Sequence, residues 1–224
     1  MAEQLSNLDY QKFLLENGLC ENWLVNDRGI CQPYFPESES DPVDVDSKPY
    51  RLYHFLSDLD RVLESEADEI ERLNIIIPLV RKLLMSAEWL HTSYDQPNPQ
   101  TGWSVRTLYK EQGYPITVQT VAWNSGNVSP IHNHATWGIV AVMNGQEKNT
   151  FWRRVPTTNK KQQKIEQTSE KTLYSGNIIG FTSEAIHCVE PLGAEPVITF
   201  NLYGVTDFSQ RYEFNITNHT AKNF

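Results

Sequence analysis

The sequence predicts a mainly β fold, a barrel or sandwich of short strands, behind an α-helical N-terminal segment. Two observations carry the β reading. Ile116, Val118, Thr120 and Ala122 alternate with Thr117, Gln119, Val121 and Trp123, the period of two that a half-buried strand requires. Glycines at 126, 145, 176, 180, 193 and 204 then punctuate apolar runs of strand length. The helical reading rests on Leu56, Leu59, Leu63 and then Ile70, Leu73, Ile77, Val80 and Leu84, which recur at three- and four-residue steps.

Taken in order, residues 6–20 suit a short helix with Leu8, Phe13, Leu14 and Leu15 as its apolar positions. Residues 36–49, with five acids and three prolines, read as a solvated linker. Pro78 is expected to kink the second long helix or to begin a new one at its first turn. The helical region closes by about His91, before the turn-rich residues 95–102. The stretch Trp137 to Met143 is apolar throughout, as a strand buried on both faces should be. Lys148 to Arg154 alternates, and 159–164 reads as an exposed hairpin loop. The expected organisation is a helical segment over residues 1–100 packed on a barrel over 101–224, one structural unit without internal repeats.

Composition narrows the function classes. The 224 residues include 39% hydrophobics, six tryptophans, ten tyrosines and nine phenylalanines, enough for a sizeable core. A formal net charge of −9 argues against nucleic-acid and anionic-membrane partners, both of which want basic surface. No apolar run is long enough for a membrane span, and the first residues lack the basic and apolar blocks of a signal peptide. Cys20, Cys31 and Cys188 cannot all pair, so reduced thiols and a cytoplasmic location are expected, with a monomer favoured. The sequons at Asn127, Asn215 and Asn218 are then chance matches.

The most informative motif is Pro130-Ile131-His132-Asn133-His134, followed much later by His187. On a strand, residues i and i+2 project to one face, so His132 and His134 can aim two imidazoles at one point. Neutral imidazole is the commonest protein ligand for a transition metal. His54, His91 and His219 fall in helical or terminal segments and are not expected to be ligands.

An H-x-H motif on one strand and a further His after a later Gly-bounded strand resemble the two motifs of the cupin double-stranded β-helix, a jelly-roll barrel. The resemblance covers roughly residues 104–205. Many cupins add a glutamate ligand with three or four residues between it and the second His, positions that hold Gly138 and Ile139 in this chain. A three-His cupin without that carboxylate resembles the thiol dioxygenases, meaning cysteine dioxygenase and its mercaptopropionate relatives. The run Ser129-Pro130-Ile131-His132-Asn133-His134-Ala135-Thr136-Trp137-Gly138 is similar to the metal motif of the bacterial members. Arg106, 26 positions before His132, stands where the cysteine enzymes place the arginine that binds the substrate carboxylate. A planar guanidinium fork suits that task.

The resemblance implies an Fe(II) site on His132, His134 and His187, with a small thiol and O2 as substrates and a sulfinic acid as product. It favours L-cysteine through Arg106 and gives Trp137 a place in the substrate pocket. The family's Ser-x-His-x-Tyr relay aligns with Thr199, Asn201 and Tyr203, with asparagine where the histidine would be. Asparagine can hydrogen-bond to the tyrosine but cannot exchange a proton near neutral pH. The cysteine that animal members crosslink to the tyrosine is replaced by Ile139, and Cys188 is expected to point away from the site. A mercaptopropionate-type enzyme, a non-catalytic metal-binding cupin and Zn(II) occupancy remain alternatives at this stage.

Overall fold

The computed structural model describes residues 20–35, 50–158 and 162–224. The expected helix at 6–20 (but for its last residue), the linker at 36–49 and part of the 159–164 loop lie outside them. Two helices, α1 (Leu52–Ser65) and α2 (Glu69–Ser86), precede a short 3₁₀ turn, Glu88–Thr92. Asp68 caps α2 by accepting hydrogen bonds from the N–H groups of Ile70 and Glu71, and Glu69 and Glu71 complement the positive end of the helix dipole. Contrary to one expectation, α2 starts no new helix at Pro78 and runs through it. Proline leaves the Asn74 carbonyl without its i+4 donor, and the Tyr34 hydroxyl supplies the missing bond at 2.8 Å.

The strands are β1 (Asn22–Val25), β2 (Cys31–Tyr34), β3 (Trp103–Lys110), β4 (Thr117–Trp123), β5 (Ile131–Asn133), β6 (Gly138–Asn144) and β7 (Gln146–Arg154). After them come β8 (Ile165–Tyr174), β9 (Ile178–Phe181), β10 (Ile186–Leu192), β11 (Val197–Tyr203), β12 (Tyr212–Asn215) and β13 (Thr220–Asn223). One sheet runs β2-β1-β9-β6-β11-β4-β3, the other β13-β12-β5-β10-β7-β8. Within them, β4-β11-β6-β9 and β5-β10-β7-β8 are the two four-stranded halves of a jelly roll. The fold is the double-stranded β-helix.

The region 1–100 is not purely helical. Its residues 22–34 form β1 and β2, and β1 extends the barrel sheet by pairing in parallel with β9. Four-residue strands carry too little periodicity to announce themselves, and Pro33 on the edge strand β2 weakens the signal further. The C-terminal hairpin β12–β13 joins the second sheet beside β5.

Two cores flank the seven-stranded sheet. Its outer face is covered by the helices, with Phe55, Leu59, Leu73, Ile77 and Leu83 fully buried against Ile139, Phe200 and Leu202. Its inner face meets the other sheet through Val140, Val142, Phe151, Leu173, Ile179 and Phe181. Strand β6 is buried on both faces for this reason, as its continuous apolar run predicts. Cys188 packs with Trp152, Ile186 and Phe214 on the outside of the second sheet, away from His187.

Candidate metal centre

β5 and β10 pair antiparallel with His132 opposite His187, so both side chains enter the barrel from one face. His134 lies just past the end of β5, and Ala135, in the left-handed region at φ 51°, turns the chain away behind it. The ligand atoms of the three histidines lie within 4.8 Å of one another. His134 Nε2 and His187 Nε2 are 3.0 Å apart. Two nitrogens each about 2.1 Å from a metal and about 90° apart about it are separated by about 3 Å, so this spacing suits adjacent ligands of one ion.

Hydrogen bonds fix the rings. His132 Nδ1 donates to the Pro130 carbonyl at 2.9 Å and His187 Nδ1 donates to Asn149 Oδ1 at 3.1 Å, which leaves both Nε2 lone pairs facing the site. Burial pushes the His132 imidazole down to about 4, opposed by the Pro130 bond. Burial also carries His134 and His187 well below the ordinary histidine range, with mutual repulsion adding to it. All three are neutral at physiological pH, the state a metal needs. The donor set fits a divalent transition metal.

The carboxylate ligand of many cupins has no room here. A Cβ at Gly138 would meet the Phe181 ring at 2.6 Å and the Tyr203 ring at 2.7 Å, and Ile139 is buried in the helix-side core. Glycine at 138 is what lets those two rings close over His134, whose centroid lies 5.2 Å from Phe181 and 4.7 Å from Tyr203.

Thr199, Asn201 and Tyr203 lie on the inner face of β11 as a hydrogen-bonded ladder. The Tyr203 hydroxyl donates to Asn201 Oδ1 at 3.1 Å, and Asn201 Nδ2 donates to Thr199 Oγ1 at 2.8 Å. Burial first, and then the Glu147 carboxylate, push the Tyr203 phenol upward, so it stays a hydrogen-bond donor.

Two expected site residues are not brought to the histidines. Arg106 pairs in register with Thr120, and Thr120 with Phe200, whose ring packs on Phe55 of α1. Residues paired across antiparallel strands share a face, so Arg106 points to the helix side, where it is exposed and lies 3.7 Å from Asp95. Its spacing from His132 is right but its strand parity is wrong. Trp137 is buried in the helix-side core, with the Arg72 guanidinium 5.8 Å from its ring.

Arg211, which the motifs do not flag, stands nearer. Its charge acts on His132, His134 and Tyr203. Its guanidinium lies 4.3 Å from the Phe224 ring, itself 6.0 Å from His132. The Nε of Arg211 is buried and makes no hydrogen bond among the described residues. The alternation of Tyr212 and Phe214 just after it is the one sequence signal for β12, the strand that it immediately precedes. Two more buried polar residues, Glu147 and Asn149, stand on the inward parity of β7 with Phe151. Burial pushes the Glu147 carboxyl up to about 7, opposed by its hydrogen bond from Asn149.

No family model matches the sequence. Similar solved structures include an oxalate oxidase in complex with the substrate analogue glycolate, 13% identical with a TM-score of 0.38, over 51% of this chain and 56% of that one. A cupin-superfamily protein from Desulfitobacterium hafniense DCB-2 is 9% identical with a TM-score of 0.36, over 46% of this chain and 77% of that one. The cupin domain of Schizosaccharomyces pombe Cnp3 is 13% identical with a TM-score of 0.36, over 47% and 61%. The chain thus matches little more than half the length of the oxalate oxidase chain. The fold assignment stands on the strand order itself.

Proposed function

We propose that this chain is a non-haem Fe(II) thiol dioxygenase that converts a small thiol carboxylate and O2 to the corresponding sulfinic acid. The observation that carries the reading is the set of three convergent neutral imidazoles with no space for a carboxylate ligand. Such a set leaves the full charge of a divalent ion available to an anionic ligand, and a thiolate is the softest small candidate. An iron(II) ion held there supplies the redox chemistry that adds both oxygen atoms of O2 to sulfur. The sulfur gives up four electrons and O2 accepts them, so no external reductant is needed.

The chain's own groups position the reactants. Tyr203, held by Asn201, presents a protonated hydroxyl beside His134, and Phe181 and Phe151 line the histidines with apolar surface. Arg211 takes the role of carboxylate anchor that the motif spacing gives to Arg106. The preference for L-cysteine rested on Arg106, so the substrate class widens to thiol acids, with 3-mercaptopropionate on an equal footing. No helix among the described residues is long and apolar enough to cross a membrane.

The test is oxygen uptake by Fe(II)-loaded protein with L-cysteine, 3-mercaptopropionate and cysteamine, with the sulfinic acid quantified. One O2 consumed per sulfinic acid formed, with either thiol acid, is the expected result. An iron-loaded protein with no thiol-dependent uptake sinks the reading.

A further inference from the structure

One buried chain of polar groups has no part in the chemistry above. On β7, Glu147 and Asn149 are each 2% exposed and project inward with Phe151. Asn149 Nδ2 donates to Glu147 Oε1 at 2.8 Å, and Asn149 Oδ1 accepts from His187 Nδ1 at 3.1 Å. The order of this chain is set from its buried end. Once ionised, as a cation in the barrel would make it, the Glu147 carboxylate only accepts and holds the Asn149 NH2 toward itself. The Asn149 oxygen must then face His187, whose Nδ1 must carry the proton and whose Nε2 must carry the lone pair. A carboxylate two groups away thereby selects the imidazole tautomer that binds metal.

The carboxylate also answers a charge problem. Three imidazoles contribute no negative charge to a divalent ion, and Gly138 leaves no room for the usual carboxylate ligand. Burying an unpaired carboxylate is costly unless a nearby positive charge offsets it. A metal ion in this barrel would supply that charge.

We propose that Glu147 is the positioning residue of the metal centre: through Asn149 it sets the tautomer and tilt of His187 and supplies, from inside the barrel, the negative charge the ligand set lacks. The inference rests on the metal centre, not on the identity of the substrate.

Cobalt(II) titration of the metal-free full chain, followed by visible absorption, tests it. Glu147→Gln removes the charge and lets the amide pair flip, and Glu147→Leu removes the acceptor altogether. Each should weaken Co(II) binding about 10- to 100-fold, the usual range for lost outer partners of a ligating histidine. The double variant Glu147→Gln/Asn149→Asp moves the carboxylate next to His187 and keeps the donor chain, so it should restore wild-type affinity. Nitrogen NMR of the metal-free protein at a pH well above 7, where Glu147 is ionised, should show His187 as the Nδ1–H tautomer in wild type and as a mixture in Glu147→Leu. Unchanged Co(II) affinity in both single variants, or an unchanged His187 tautomer, overturns the proposal. Wild-type protein that binds Co(II) no more tightly than His187→Ala overturns the metal centre itself, a separate failure visible without any Glu147 variant.

Discussion

The two faces of strand β11 do opposite work. Phe200 and Leu202 point toward the helices and are fully buried among apolar side chains. Thr199, Asn201 and Tyr203, each one residue away, point into the barrel and form a hydrogen-bonded ladder beside the histidines. The helix side supplies stability through area removed from water, and the barrel side spends part of it on buried polar groups. A substitution should therefore move either stability or the site, according to its parity on the strand.

The largest effect belongs to the helix side. Phe200→Ala removes a fully buried ring from contact with Phe55, and should cost about 3–5 kcal/mol in denaturant unfolding. The folded fraction should bind Co(II) as wild type does. A weakened metal site in this variant breaks the division between faces.

On the barrel side, pH separates the groups. His132 is held down to about 4, so the metal-free native state binds fewer protons than the unfolded chain between about 4 and 6.5. Stability is therefore present above the unfolded pKa and lost as pH falls through this window, by about 3 kcal/mol for this group alone. His134 and His187 shift in the same direction and steepen the loss. Glu147, raised to about 7, has the reverse sign: its contribution is present below about 4.5 and is lost as pH rises toward 7. Metal-free Glu147→Gln should consequently gain stability relative to wild type as pH rises across that range, read as Tm against pH. A constant offset between the two profiles contradicts the assignment. Metal-loaded protein should resist acid further, because bound imidazoles must lose the ion before they protonate.

The sequence reveals what strand periodicity and motif spacing encode. His132 and His134 are legible from H-x-H on a short strand, and His187 through the resemblance to the second cupin motif after a Gly-bounded run. The ladder on β11 is legible through its resemblance to a Ser-x-His-x-Tyr relay, whose i, i+2 and i+4 positions share a face on a strand. What spacing cannot convey is which face a strand turns inward, since that depends on register with its neighbours. Arg106 lies on the helix side for this reason, whereas Trp137, in the link between β5 and β6, is carried into the helix-side core by the path of that link. Arg211 was hidden differently, because its place depends on the β12–β13 hairpin docking beside β5, a tertiary pairing with no local signal. Glu147 and Asn149 were in principle readable, since they share inward parity with Phe151 on an alternating strand.

At the site's edge, Arg211→Gln should lower kcat/KM for thiol acids about 10- to 100-fold, the scale of one hydrogen bond to a charged group. Turnover of cysteamine, which lacks a carboxylate, should change little. Equal losses with both substrates would place Arg211 in support of the fold and not of the carboxylate.

The smallest effect is the sharpest comparison. Arg106 is the arginine that motif spacing nominates, yet it sits on the exposed face of an edge strand with Asp95 at 3.7 Å. Exposed pairs of this kind contribute about 0–1 kcal/mol, because water screens them and two long side chains must be held in place. Arg106→Gln should therefore leave stability, Co(II) affinity and thiol-acid kinetics within about twofold of wild type, an energy difference below about 0.5 kcal/mol. A selective loss of L-cysteine turnover in this variant would mean that β3 pairs with β4 one residue out of the register seen here. Because a one-residue slip exchanges the faces, the same experiment reports on the strand register and on the carboxylate anchor together.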